Sequence, residues 1–257
     1  MRVAHAIVRL PSSALADGIT SASLGAPAYA DACRQHAAYC DALRQSGASV
    51  TVLDADLRHP DAHFVEDAAV VVGSTAVLTR PGAAARRDEP QTIRDAISVS
   101  FSRIEQIVAP GTLDGGDVCD AGDRLFIGIS QRTNRSGAEQ LARIARGAGK
   151  APVLVDVRDV AGALHLKSAM SYLGDGNFVA TAAIAPLLRE PPERVWIVAP
   201  GEEYAANCVR INAVVLVAAG YPHLRAALAG AGYASVPVDV SEFRKMDGGL
   251  SCLSLRF

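Results

Sequence analysis

The stretch Asp117-Val118-Cys119-Asp120-Ala121-Gly122-Asp123-Arg124-Leu125-Phe126-Ile127 sets two apolar runs on either side of the turn Ala121-Gly122-Asp123. Turn residues between apolar runs signal a β-hairpin. A helix over about Gly137–Arg146 is predicted to follow. The pattern recurs on both sides of this stretch. Upstream, Ala68–Val72 and Ala76–Thr79 flank Gly73-Ser74. Downstream, Ser168–Leu173 and Phe178–Ala182 flank Gly174-Asp175-Gly176-Asn177. Cys208–Ile211 and Val214–Val217 flank Asn212-Ala213, with a helix over about Pro222–Ala229. The N-terminal strand Val3–Arg9 and the C-terminal strand Leu250–Phe257 supply a fifth unit between them.

Units spaced by roughly forty to fifty residues suggest a propeller or a solenoid. Pooling the first and last strands favours a closed ring, which leaves no terminal repeat exposed. A doubly wound parallel sheet is the alternative. The short turns argue against it, because they make antiparallel pairs and not crossovers. No glycine-rich phosphate loop follows the first strand, so no dinucleotide site is expected. Ala28–Ser46 reads as a helix, with Ala32, Tyr39, Ala42 and Leu43 on one side and Gly47 as its C-terminal cap. No linker or composition break divides the chain, so residues 1–257 are read as a single α/β domain.

Half of the 257 residues are hydrophobic, enough for a substantial core, and the net charge is only −2. Nothing electrostatic points to nucleic acid or a membrane surface. The segment after Met1 is too short and too polar at its end for a signal peptide, and no apolar run is long enough to cross a bilayer. A cytoplasmic protein is the default expectation. The five cysteines are odd in number and lack CxxC spacing, so no disulfide framework or cysteine zinc cluster is expected. The six histidines show no HExxH spacing, and no metal is expected either.

The groups able to do chemistry fall at corresponding places in the repeats. Glu66-Asp67 precede the first hairpin, Asp114 and Asp117 the second, His165 the third and Asn207-Cys208 the fourth. Cys252 lies where the fifth begins, after Gly248-Gly249, a pair that lets backbone approach something closely. In a closed ring these positions converge on the axis. Taken singly, each has a plainer reading. Cys252 fits a small buried hydrophobe, His165 a core histidine between two leucines, and Asp114 a turn residue. Arg86 and Arg132 fit solvated loop arginines. The adjacent carboxylates of Glu66 and Asp67 are harder to dismiss, being costly to bury without a cation.

Phe64-Val65-Glu66-Asp67, Leu113-Asp114-Gly115-Gly116-Asp117-Val118, Gly128–Asn134, Leu164-His165-Leu166-Lys167-Ser168, Ala205-Ala206-Asn207-Cys208 and Asp247–Cys252 resemble, in order, the sequence blocks of the dimethylargininases. That family lies in the guanidino-modifying (pentein) superfamily. The resemblance implies a five-bladed ββαβ propeller and a cysteine hydrolase acting on methylated arginine, without a cofactor. By motif, Cys252 would attack the guanidinium carbon. His165 would protonate the departing amine and then activate water, and Asp114 would orient His165. Glu66 and Asp67 would grip the guanidinium beside Phe64. Arg86 and Arg132 would hold the α-carboxylate, and Asp61 the α-amino group. Ile19 would be a lid residue, and Met246 would offer its backbone carbonyl. The partner would be a small molecule, with no nucleic acid or membrane, and the protein a monomer or homodimer. The competing readings are an arginine deiminase, whose members are usually longer, and a catalytically silent ligand-binding propeller.

Overall fold

The computed structural model describes residues 2–188 and 194–257. Its strands are β1 (His5–Arg9), β2 (Ser49–Leu53), β3 (Ala69–Val72), β4 (Thr75–Leu78), β5 (Arg103–Gln106), β6 (Val118–Ala121), β7 (Arg124–Ile129) and β8 (Ala151–Asp156). They continue as β9 (Met170–Gly174), β10 (Asn177–Ala180), β11 (Arg194–Ile197), β12 (Val209–Ile211), β13 (Val214–Ala218), β14 (Ala234–Val238) and β15 (Leu255–Arg256). The strands form five three-stranded sheets, β3-β4-β5, β6-β7-β8, β9-β10-β11, β12-β13-β14 and β15-β1-β2.

Every sheet repeats one topology. In four of them a short turn joins the antiparallel pair, as in β6 and β7 with Val118 opposite Ile127. A crossover then brings a third strand parallel to the middle one, as in β7 and β8 with Phe126 opposite Val153. This is the ββαβ unit of a five-bladed propeller. In the sheet that joins the termini, β1 pairs antiparallel with β15 and parallel with β2. The first strands face inward: β9 touches β6 and β12, and β15 touches β3.

The crossover of the second unit shows why it folds. Asn134 caps the helix Arg135–Gly147, its side-chain oxygen accepting the Gly137 N–H at 2.8 Å. Ala138, Leu141, Ala142 and Ala145 then fall on one buried face at helical spacing. Burying Leu141 alone contributes about 1.5–3 kcal/mol. The helix Tyr29–Gln45 buries the expected Ala32, Tyr39, Ala42 and Leu43, and Gly47 follows it at φ 95°.

Three sequence readings are refined. The outer strands β2, β5, β8, β11 and β14 carry mixed, largely exposed residues, so they lack the continuous apolar run that marks the inner strands. The C-terminal strand is shorter than Leu250–Phe257, because Ser251–Leu253 forms one helical turn ahead of β15. Likewise Ser168 belongs to a turn, Leu166–Ala169, that precedes β9. Among the described residues no helix is long and apolar enough to cross a membrane.

Candidate active site

Five one-turn helices, one ahead of each hairpin, surround the axis: Val65–Ala68, Gly115–Asp117, Leu166–Ala169, Glu203–Ala206 and Ser251–Leu253. Side chains of one turn bond the backbone of the next. The Gly116 N–H donates to Asp67 Oδ1 at 2.9 Å, and the Leu166 N–H donates to Asp117 Oδ1 at 2.9 Å. The Ser251 N–H donates to Asn207 Oδ1 at 2.9 Å, and the Ser251 hydroxyl closes the ring on Glu66 Oε2 at 2.7 Å. Asp67, Asp117 and Asn207 thus hold equivalent places in the repeat.

The glycine pair before Cys252 serves close approach. A Cβ on Gly248 would meet the Phe64 ring, and one on Gly249 would lie 2.6 Å from Asn207 Oδ1. Gly116 likewise leaves room for the His165 imidazole.

One chamber, of about 20 Å³, is lined by Ile19, Asp61, Phe64, Asp67, Arg86, Arg132, Leu164, His165, Met246, Asp247, Gly248 and Cys252. Nine of the eleven residues named as candidates from the sequence therefore lie around it; Glu66 is turned away, and Asp114 stands directly behind His165. His165 Nε2 is 3.1 Å from Asp114 Oδ2, and both side chains are buried. The second oxygen of Asp114 accepts the Gly82 N–H at 2.8 Å. Burial opposes a charge on His165, but the carboxylates of Asp67, Asp117 and Asp114 outweigh it and raise its pKa to about 9. Burial likewise opposes ionisation of Asp114, yet the hydrogen bond and charge of His165 hold its pKa below the usual value. Burial, reinforced by the Glu66 and Asp67 charges, pushes the Cys252 thiol up to about 12. Near neutral pH these shifts favour a neutral thiol and a protonated imidazole.

Two expectations need correction. Glu66 does not line the chamber. Its carboxylate is held by Lys167 Nζ at 2.6 Å, Arg256 Nη2 at 2.7 Å and the Ser251 hydroxyl, and it faces a separate cavity on the axis. Its cationic partners are therefore protein groups, and Asp67 alone of the pair lines the chamber. Arg86 is no solvated loop arginine. It is buried, donates to Asp67 Oδ2 at 2.8 Å and to both oxygens of Glu89, and reaches the Asp61 and Phe64 carbonyls. Most of its N–H groups are committed to fixing Asp67 and the chamber wall.

Arg132 lines the chamber from the loop after β7, its backbone N–H held by the Ser130 hydroxyl, which in turn donates to Asp117 Oδ2 at 2.6 Å. Asp61 accepts the Ile19 N–H on both carboxylate oxygens, at 3.0 and 3.2 Å, tying the Asp17–Thr20 loop to the site. Sequence reasoning missed the supporting roles of Glu89, Lys167, Ser251 and Arg256. Only Ser251 and Lys167 lie within the quoted sequence blocks; nothing local marks Glu89 or Arg256. Asp67, Asp114 and His165 place one ligand atom each within 4.8 Å of one another. That donor set could hold a divalent cation, but two carboxylates in a buried pocket equally suit an organic cation.

Five ββαβ units closed into a ring, with a cysteine, a histidine and carboxylates at the axis, define a guanidino-modifying enzyme of the pentein superfamily. The family model described as N,N dimethylarginine dimethylhydrolase, eukaryotic, matches residues 25–197. The chain is 41% identical over 254 residues to the N(G),N(G)-dimethylarginine dimethylaminohydrolase of Pseudomonas aeruginosa, covering 98% of this chain and 99% of that one. The enzyme of the same name from Streptomyces coelicolor is 37% identical over 253 residues, covering 98% and 96%. The structure of a cysteine-to-serine variant of the Pseudomonas aeruginosa protein complexed with citrulline superposes with a TM-score of 0.96 at 40% identity, covering 100% of both chains. The chain belongs to the dimethylarginine dimethylaminohydrolase family.

Proposed function

We propose that this protein hydrolyses Nω-methylated arginine, asymmetric dimethylarginine and monomethylarginine, to citrulline and dimethylamine or methylamine, its residues forming one catalytic domain. The observation that carries this reading is the chamber itself. A half-buried cysteine and a histidine–aspartate pair adjoin one carboxylate, Asp67, while Arg132 and Asp61 offer charges for the amino-acid end.

The buried acids bind the cationic guanidinium, and its charge lowers the pKa of the adjacent thiol. The thiol proton passes to solvent as substrate enters. The Cys252 thiolate attacks the guanidinium carbon, forming a C–S bond. The His165 imidazolium gives its proton to the methylated nitrogen, and the C–N bond breaks to release the amine. An S-alkylthiouronium remains on the enzyme. Neutral His165 then takes a proton from water, whose oxygen adds to the same carbon. Breaking the C–S bond yields citrulline and frees Cys252. The released amine takes up a solvent proton, so no net proton is consumed. Asp114 keeps His165 oriented throughout and favours its protonated form before amine release.

Arg132 clamps the α-carboxylate and Asp61 meets the α-ammonium, with Ile19 and the Met246 carbonyl closing over that end. Arg86 fixes Asp67 and edges the carboxylate site. A panel of arginine, monomethylarginine and asymmetric dimethylarginine, scored for citrulline and for the amine, tests the assignment. Faster turnover of plain arginine would move the protein to the deiminase reading.

A further inference from the structure

We propose that the cleft on the outer side of Cys252 receives nitrogen substituents larger than methyl, so that arginines carrying a longer primary alkyl group on the terminal nitrogen are also substrates. The inference rests on the function proposed above. The inner chamber measures about 20 Å³, whereas the cleft beside it measures about 920 Å³. The two share Leu164, Asp247, Gly248 and Cys252, so the nucleophile stands in the wall between them.

Three physical constraints aim the substituent at this cleft. The leaving nitrogen must lie beside His165, which protonates it, and the neighbouring residue Leu164 forms the shared wall. An alkylated nitrogen has fewer N–H donors, so turning it toward Asp67 would cost that carboxylate a hydrogen bond from the substrate beyond those it accepts from Gly116 and Arg86. The opposite end of the chamber is occupied by Asp61 and Arg132, which bind the amino-acid end. The remaining direction leads past Leu164 to Ala163, Ala182, Ile197 and Tyr204, a largely apolar surface. The bonds broken and formed are those of the methyl substrates. The guanidinium carbon exchanges the alkylated nitrogen for Cys252 sulfur and then for water oxygen, and the alkylamine leaves with the His165 proton through the cleft.

The test compares monomethylarginine with Nω-propylarginine, following citrulline release. Wild-type protein is expected to hydrolyse the propyl compound with kcat/KM within about tenfold of the methyl compound. Ala182 is exposed at the cleft and outside the catalytic machinery, so Ala182→Phe fills space without threatening the fold. It is expected to lower kcat/KM for the propyl compound about tenfold or more, with the methyl compound changed less than about twofold. Ala163→Phe, on the nearer wall, should act in the same direction. Hydrolysis of methylarginine with none of propylarginine would overturn the cleft assignment and leave the proposed function standing. Equal losses on both substrates in both variants would also overturn it. Hydrolysis of neither substrate by wild type would overturn the function and this inference together.

Discussion

His165 Nε2 and Asp114 Oδ2 stand 3.1 Å apart, although the two residues are 51 positions apart in the chain. Each belongs to a different blade, and each begins the one-turn helix of its blade. The pair exists because the blades close. Its carboxylate helps hold a proton on a buried imidazole that burial alone would strip.

The proton on His165 sets a pH limit. Its pKa is raised to about 9, so the general acid of the proposed mechanism is present below that pH and lost above it. A falling limb in log kcat/KM near pH 9 is expected in wild type. Asp114→Asn removes one of the supporting charges and should move that limb down by about one pH unit or more. An unmoved limb in the variant would show that Asp114 does not act through His165.

Cys252→Ser should reduce turnover at least ~10³-fold while preserving substrate binding, since a hydroxyl is a far weaker nucleophile than a thiolate. His165→Gly should slow amine release and the later hydrolysis, each by about 10²–10⁴-fold. Mass spectrometry of the quenched mixtures distinguishes the two, because only the histidine variant can accumulate an adduct on Cys252. Normal steady-state rates in either variant would remove that residue from the mechanism.

The two chamber arginines should respond differently to removal. Arg132→Ala is expected to raise KM about tenfold or more through loss of a charge-assisted clamp, with little change in melting temperature. Arg86→Ala strips the buried Asp67 and Glu89 carboxylates of their partner and is expected to cost about 3–5 kcal/mol of stability. Thermal melts alongside kinetics decide the point. An Arg86→Ala protein as stable as wild type would contradict the structural role.

Behind the site, His63 packs on Phe64 with ring centroids 4.0 Å apart, and His36 lies nearby against Phe243. Burial lowers the pKa of His63 to about 3 and that of His36 to about 4, from an ordinary value near 6.5. Below pH 6.5 the unfolded chain binds protons that the folded one refuses. The stability these histidines contribute is therefore complete above pH 6.5 and declines as pH falls toward 4. Each can steepen that decline by up to about 1.4 kcal/mol per pH unit. A flatter stability profile between pH 6.5 and 4 is expected for His63→Phe, measured by denaturant titration. A profile parallel to wild type would rule out this contribution.

The hairpins were legible because their strands are apolar on both faces and broken by turn residues, as in Ala69–Val72 and Thr75–Leu78. Repetition then supplied the ring, and corresponding positions supplied Asp114, His165 and Cys252. The outer strands were hidden, since residues such as Arg103–Gln106 are half solvated and carry no two-fold apolar signature. Sequence order also named both Glu66 and Asp67 as ligands, because two adjacent carboxylates look alike in one dimension. Only the fold turned them to different cavities: successive residues on a helical turn point in different directions, so Asp67 meets Arg86 and the chamber while Glu66 meets Lys167 and Arg256. The state of Cys252 was likewise decided in three dimensions. A thiol's pKa depends on burial and on charges brought from Val65–Ala68, a turn far away in the chain, which the local sequence around Cys252 does not contain.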